Sequence, residues 1–244
     1  MANLLVTQKL VDTEKKCVFK FTNVSDGSAL ANVKMIDVST LNWAKHTLTL
    51  SGAASPNFKI GEVITTAATE HFLVTGFTAG ASTVEVVGWD NTNKKATTIL
   101  TTSSNGDAIS GSVSGANTRT LANSGNLTGL VWNVLVTKIM WITNGETVAI
   151  EWDGSDNEAY IAELSGNGSW SMPGNEWPGI GINAAGDASE VLGDIQFSTT
   201  GHASGDSYTI IMELKKQAPG FDVPAYEENT KLGYKVDYLK GNFT

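Results

Sequence analysis

Thr147-Val148-Ala149-Ile150-Glu151-Trp152-Asp153 is the stretch that decides the fold class. Val148, Ile150 and Trp152 fall on one face of an extended chain, because successive side chains of a strand point to opposite sides. The stretch 207–215 repeats the pattern, with one side made by Tyr208, Ile210, Met212 and Leu214. Apolar alternation with a period of two predicts strands that bury one face.

Further strand candidates lie between clusters of Gly, Asn, Asp and Ser, which are typical of turns. They span 16–24, 32–38, 136–143, 160–164 and 194–199. No window of about eleven residues shows the apolar spacing of an amphipathic helix. The sequence therefore predicts an all-β protein.

The spacing of these strands predicts the domain organisation. Residues 1–45 and 119–217 supply about eight antiparallel strands, enough for a β-sandwich or jelly-roll-like core. Residues 46–118 are richer in Thr, Ala and Gly. Five short strand candidates there, 46–50, 60–66, 71–75, 83–89 and 97–100, predict a small β-barrel-like domain inserted into a loop of the core.

The C-terminal stretch, residues 218–244, has few consecutive apolar residues but carries Tyr226, Tyr234 and Tyr238. Two interpretations stay open. It is either a strand that packs back on its own domain or an arm that docks on a neighbouring subunit with the three tyrosines as anchors.

Charge and cysteine content narrow the classes of function. The net charge is −9 and Arg119 is the only arginine, which disfavours partners that present phosphate, namely nucleic acid and anionic membranes. Cys17 is the only cysteine, and its place in an alternating stretch indicates a small strand residue. The start of the chain lacks a signal-peptide pattern and no apolar run approaches ~18 residues, so we expect folding in a cytoplasm.

Three motifs suggest chemistry but fit ordinary loops better. Gly179–Ala184 matches the dinucleotide pattern G-x-G-x-x-A, yet no periodic helix follows it. The calcium-like run 153–158 lacks the glycine and glutamate of an EF-hand and predicts a turn between two strands. His202 and Asp206 lie in a strand-to-strand loop in which Asp206 caps the turn and Gly205 takes a positive φ. We expect no catalytic residue, cofactor or metal.

Tryptophan is the remaining signal, with seven residues. Trp141 and Trp152 lie in alternating strands and are interpreted as core residues. Trp170 and Trp177 lie in the stretch 165–187, where neither helix nor strand is predicted. For these two we rank a plug at the end of the sandwich first, an interface second and a bound ligand third.

Several stretches together resemble virion structural proteins of tailed phages, especially marine phages and cyanophages. They are 9–13 with 18–27, 150–154 with 161–168, and 193–210 with 214–216, and the resemblance covers about residues 1–45 and 130–217. The middle segment departs from the compact form of that family. The resemblance implies a particle component assembled in the host bacterial cytoplasm and brings no catalytic residues with it.

The expected function is therefore non-enzymatic. We expect a capsid decoration or cement protein that binds the outer head lattice, with the major capsid protein or other virion proteins and copies of itself, a trimer among the options, as partners. The candidate interface residues are Trp170, Trp177, Tyr226, Tyr234 and Tyr238. The alternatives are a neck, tail or fibre-attachment component and a host-glycan-binding module that uses Trp170 and Trp177.

Overall fold

A computed structural model of the chain describes residues 3–97, 104–122, 132–153, 159–171, 180, 193–217 and 221. These residues divide into two compact units. The sandwich unit consists of the described residues within Met1–Val38 and Val131–Pro219, and the second unit consists of those within Ser39–Leu130 together with Phe221.

The described residues form strands and one short 3-10 helix, Val38–Thr40, with no α-helix among them. The strands are β1 (Val6–Asp12), β2 (Lys16–Asp26), β3 (Val33–Ile36), β4 (His46–Thr49), β5 (Val63–Thr66), β6 (His71–Phe77), β7 (Thr83–Asp90), β8 (Lys95–Ala96), β9 (Ala108–Gly111), β10 (Gly115–Thr120), β11 (Val134–Asn144), β12 (Thr147–Trp152), β13 (Ala159–Leu164), β14 (Asn167–Ser171), β15 (Ile195–Thr200) and β16 (Ser204–Lys216). The prediction of an all-β protein is confirmed.

The sandwich unit contains two antiparallel sheets. One has five strands in the order β1-β2-β16-β11-β14, and the other has four in the order β13-β12-β15-β3. Aromatic rings join them across the core: the Phe21 and Phe197 ring centroids are 4.9 Å apart, and Phe197 meets Tyr208 at 6.2 Å. Edge-to-face contacts of this kind add to the burial energy and hold the sheets face to face.

The two stretches that decided the fold class behave as predicted. In β16, all four side chains of the apolar side are buried, with at most 2% exposed: Tyr208, Ile210, Met212 and Leu214. In β12, Val148, Ile150 and Trp152 are fully buried. Glu151, on the opposite face of β12, is buried as well, whereas Thr147 and Ala149 on that face are partly exposed.

An ion pair fixes the end of β16. Lys216 is buried, and its ammonium group donates hydrogen bonds to the Asp12 carboxylate and to the Thr13 carbonyl oxygen at 2.8 Å. Burial lowers the pKa of Lys216, and the Asp12 carboxylate opposes that shift. The ion pair fastens the turn between β1 and β2 to the last residue of the central strand. Cys17 lies beside it in β2, where burial raises the pKa of its thiol to about 12, as expected for an inert core cysteine.

The second unit is a curled antiparallel sheet in the order β10-β9-β5-β6-β7-β4, with β8 paired to β7. Backbone hydrogen bonds link the two outer strands of that order: the Ser51 amide donates to the Thr120 carbonyl at 2.9 Å, and the Ala122 amide donates to the Thr49 carbonyl at 2.7 Å. The ends of the sheet thus meet, which is the connectivity of a small barrel. Its interior is filled by apolar side chains: Leu48, Leu50, Ala54, Phe58, Ile64, Phe72, Val74, Val84, Val86, Ile109 and Leu121.

The limits of the two units differ from the sequence-based limits. Residues 39–45 and 119–122, which the sequence assigned to the sandwich core, belong to the second unit. The strands β9, β10 and β14 were not predicted, because they are short and carry Gly, Ser, Asn and Thr without apolar alternation. The candidate strand 97–100 falls outside the described residues after position 97, and so do the calcium-like run after Asp153 and most of the G-x-G-x-x-A motif.

A buried carboxylate holds two loops of the second unit together. Glu62 is 2% exposed and accepts four hydrogen bonds: from the Lys59 amide at 2.6 Å, the Val113 amide at 3.0 Å, and the amide and hydroxyl of Ser114 at 2.9 and 3.0 Å. Gly111 lies against the same carboxylate, and a Cβ atom there would collide with Glu62 and Ser114. Full hydrogen bonding is what allows a carboxylate to be buried at this position.

Glu62→Gln should destabilise the second unit by about 2–4 kcal/mol, because an amide group in place of one oxygen faces donors that then lose their acceptor. Chemical denaturation measures the loss, and hydrogen exchange locates it, with faster exchange at the amides of Lys59, Val113 and Ser114. Glu85→Gln is the matched control, since Glu85 is exposed and its contact with Lys45 is 3.7 Å long. Equal stability and equal exchange in the two variants would contradict the assigned role.

Candidate interaction surface

The five-stranded sheet has one face against the core and one face pointing away from it, which we call the outer face. Antiparallel pairing places directly opposed residues on the same side of a sheet. One row across all five strands is therefore Gln8, Lys20, Ile211, Met140 and Ser169. Neighbouring rows hold Val6, Thr22, Thr209, Ile142 and Asn167, and Val11, Val18, Glu213, Lys138 and Ser171.

Apolar side chains occupy positions of the outer face where a solvated sheet normally carries polar ones. On β11, Met140 is 39% exposed and Ile142 is 63% exposed. On β2, Val24 is 45% exposed and is hydrogen-bonded through its backbone to Leu4, which is 65% exposed. Single exposed apolar residues are common, but several on adjoining strands of one face mark a surface that binds another molecule.

The same face is basic although the chain is acidic. The four lysines that β2, β11 and β16 direct outward are Lys16, Lys20, Lys138 and Lys215, and the acids on the same side of these strands are Asp26 and Glu213. Lys16 contacts Glu213 at 3.1 Å. Lys20, Lys138 and Lys215 have no ion-pair partner among the residues that the structure describes. The outer face thus combines aliphatic side chains with unneutralised ammonium groups.

Sequence reasoning missed this surface. The candidate interface residues taken from the sequence are aromatic, whereas this surface is made of lysine and aliphatic side chains. These side chains lie on strands that the sequence did predict. The sequence signal for this surface lies at the strand positions between the core residues. These positions should be polar if that face is solvated, yet they hold Val18 and Val24 in β2 and Met140 and Ile142 in β11.

Trp170 corrects one expectation. It lies in β14, not in an irregular loop, and pairs directly with Ile139 of β11. Ile139 is buried, so Trp170 belongs to the core side of the edge strand, where it is half-buried. Strand β14 forms because β11 offers it a hydrogen-bonding edge, and no local apolar pattern announces it. Trp177, Tyr226, Tyr234 and Tyr238 lie outside the described residues, and their proposed interface role stays a prediction.

Trp141 is only partly a core residue. It is half-buried, its ring lies over Gly168 of β14, and its indole nitrogen donates to the Ser165 carbonyl oxygen at 3.2 Å. A Cβ atom at Gly168 would collide with the ring, so the glycine is what lets β14 approach β11 at this point. The core interpretation is confirmed for Trp152 and wrong for Trp141.

The His202 loop has the geometry predicted for an ordinary turn. The Asp206 carboxylate accepts a hydrogen bond from the Ala203 amide at 2.5 Å, and Gly205 has a φ of +96°. Asp206 also packs against Gly145, where a Cβ atom would overlap its carboxylate. The carboxylate therefore serves the turn and the adjoining hairpin.

Next to that loop, the sandwich unit buries polar groups that lack partners. Glu146 is 3% exposed, and neither of its carboxylate oxygens has a hydrogen-bond partner among the described residues. Burial, reinforced by the Asp206 carboxylate, raises the pKa of Glu146. The Tyr208 hydroxyl is also buried without a partner, and burial raises its pKa above the usual range. Unpaired buried polar groups reduce the stability of a fold.

The described residues contain no group of three or more His, Cys, Asp or Glu side chains arranged to hold a metal ion. Nor do the described residues include a helix of the length and hydropathy needed to cross a membrane.

Comparison with known proteins adds no family. No family model matches the chain, and no curated protein matches it. A solved structure described as manganese lipoxygenase of Gaeumannomyces graminis with a partial structure of zonadhesin of Komagataella pastoris aligns over 88% of this chain and 83% of that chain. The identity is 9% and the TM-score is 0.14, and a likeness at that level carries no argument about fold or function.

Glu146→Gln should stabilise the protein at neutral pH. The pKa of Glu146 is raised in the folded state, so the unfolded chain loses the proton of this carboxyl group more readily than the folded chain. Ionisation of Glu146 therefore lowers the stability of the fold above the unfolded pKa of about 4.3. We expect the melting temperature to rise by about 2–4 °C at pH 7, the effect of ~1 kcal/mol in a protein of this size, and the gain to vanish below pH 4.

Thermal unfolding from pH 3.5 to 8 measures this difference. The control is Glu163→Gln on β13, where the side chain is exposed. A gain for Glu146→Gln that is the same at every pH would show that charge burial is not its cause.

Proposed function

We propose that this chain is a non-enzymatic structural protein of a tailed-phage virion, and that it decorates and stabilises the outer head lattice through the outer face. Its partners are the major capsid protein or other virion structural proteins, and further copies of itself. It is assembled in the cytoplasm of the host bacterium and acts in the virion.

The observation that carries the proposal is the outer face itself. It places Met140 and Ile142 on the same sheet face as Lys138 and Lys20, with Ile211 between Met140 and Lys20. Aliphatic centres with charged surroundings are the composition of protein–protein contact surfaces, in which the buried centre contributes affinity and the charges contribute specificity. Nucleic acid and membranes are disfavoured as partners by the overall charge of −9.

Repetition makes such a surface effective on a particle. A single copy of this face makes only one such contact. On a symmetric shell, however, each copy meets the same neighbours, and many weak contacts add up to a strongly held layer. The resemblance of residues 1–45 and 130–217 to virion structural proteins supports the same reading.

The copy number per virion tests the proposal. Quantitative mass spectrometry of purified particles, with the major capsid protein as the internal reference, should give hundreds of copies for a lattice-bound protein. A low multiple of three or six would instead assign the chain to the neck, tail or fibres. Absence from the particle would overturn the virion proposal altogether.

The surface is tested by Ile142→Asp, which puts a charge at the most exposed apolar position of β11. Purified variant added to particles that lack the protein should occupy the lattice at least about tenfold less than wild type, because the charge must lose water on binding. Ile60→Asp is the matched control, since Ile60 is 51% exposed but lies in the second unit. Equal occupancy by both variants would remove the outer face from the proposal.

A further inference from the structure

The composition of the outer face specifies the chemistry of its partner. Of the 16 Lys and Arg and the 25 Asp and Glu residues in the chain, this face holds four of the former and two of the latter. The rest of the chain is left with twelve basic and 23 acidic residues. The basic face therefore attracts acidic surfaces, and the remainder of another copy of this chain is acidic. Opposite potentials of this kind favour association across an interface.

The arrangement of the face favours an extended, acidic and partly apolar segment. Ile211, Met140 and Ile142 form an apolar strip; Lys20 stands next to Ile211 in the same row, and Lys138 lies in the adjoining row. In an extended segment, successive side chains point to opposite sides, so every second side chain of a bound segment would face the sheet. Acidic side chains would reach the ammonium groups while apolar or aromatic ones cover the strip.

The chain carries such a segment at its C-terminal end. Residues 222–230 contain Asp222, Glu227 and Glu228 together with Val223 and Tyr226, and the next basic residue is Lys231. Their starting point is fixed in the second unit, where Phe221 is fully buried and forms a β-bridge with Ala44. The 23 residues that follow Phe221 have a contour length of up to roughly 75 Å, enough to reach a second molecule.

We propose that the outer face binds the acidic C-terminal segment, residues 222–230, of a second copy of this chain. This inference rests on the proposed function, since a particle is what sets copies side by side. It adds the identity of one partner: the contact is heterologous, with face and segment at different places on each molecule. Such a contact closes into a ring when its rotation closes, and otherwise continues from copy to copy.

Charge reversal on each side of the contact tests the proposal. The face variant is Lys20→Glu with Lys215→Glu; Lys215 stands opposite Lys16 and Lys20 stands opposite Gln8 and Ile211, so neither change sets two acids directly against each other. The segment variant is Glu227→Lys with Glu228→Lys. Sedimentation velocity at micromolar concentration and low salt, with full-length protein, measures association, and circular dichroism verifies that each variant is folded.

We expect wild type to self-associate, each variant alone to associate at least about tenfold more weakly, and an equimolar mixture of the two variants to regain association. Recovery in the mixture requires contact between different molecules, which a segment folded back on its own chain would not give. The control variant, Lys59→Glu with Lys95→Glu, removes two exposed lysines of the second unit and should associate like wild type.

Three results would overturn the inference: a monomeric wild type, unaltered association of both reversal variants, or no recovery in the mixture. Each is independent of the copy number in the virion. Suppose that the protein is present in hundreds of copies per virion and that the reversal variants lose particle binding but not self-association. The proposed function would then stand, and the outer face would bind a different virion protein.

Discussion

The register of β16 is the constraint on which the sandwich unit depends. This strand pairs with β2 on one side and β11 on the other along most of its length. A shift by one residue would move Tyr208, Ile210, Met212 and Leu214 out of the core and bring the outward residues in. The buried ion pair between Lys216 and Asp12 opposes such a shift, because a shift of β16 would move the Lys216 ammonium group away from the Asp12 carboxylate.

The same register creates the outer face. Once the core side of β16 is fixed, hydrogen bonding sets which residues of β2 and β11 stand beside Ile211, and so the apolar strip and the lysines around it are brought together from three parts of the chain. None of these residues is needed in the core. Core packing therefore does not determine their composition. The exposed aliphatic side chains among them are costly to leave in water unless a partner covers them.

The sequence predicted what local alternation controls and missed what pairing controls. The alternation in β12 and β16 gave the core residues of both sheets, because apolar burial determines those positions directly. Strand β14 forms with Gly168 and Trp170 in an otherwise polar stretch, since the open edge of β11 supplies its hydrogen bonds. The outer face escaped prediction for a related reason: its residues are far apart in sequence, and only the pairing makes them neighbours.

Two buried carboxylates show how differently the units use burial. Glu62 is surrounded by four donors and makes the loops around it rigid, so its charge contributes to the order of the second unit. Glu146 is as deeply buried but has no such donors among the described residues, so its charge lowers stability. A group that lowers stability persists only if the rest of the fold offsets it. In the sandwich unit the long paired strand β16, with its buried apolar side, contributes to that offset.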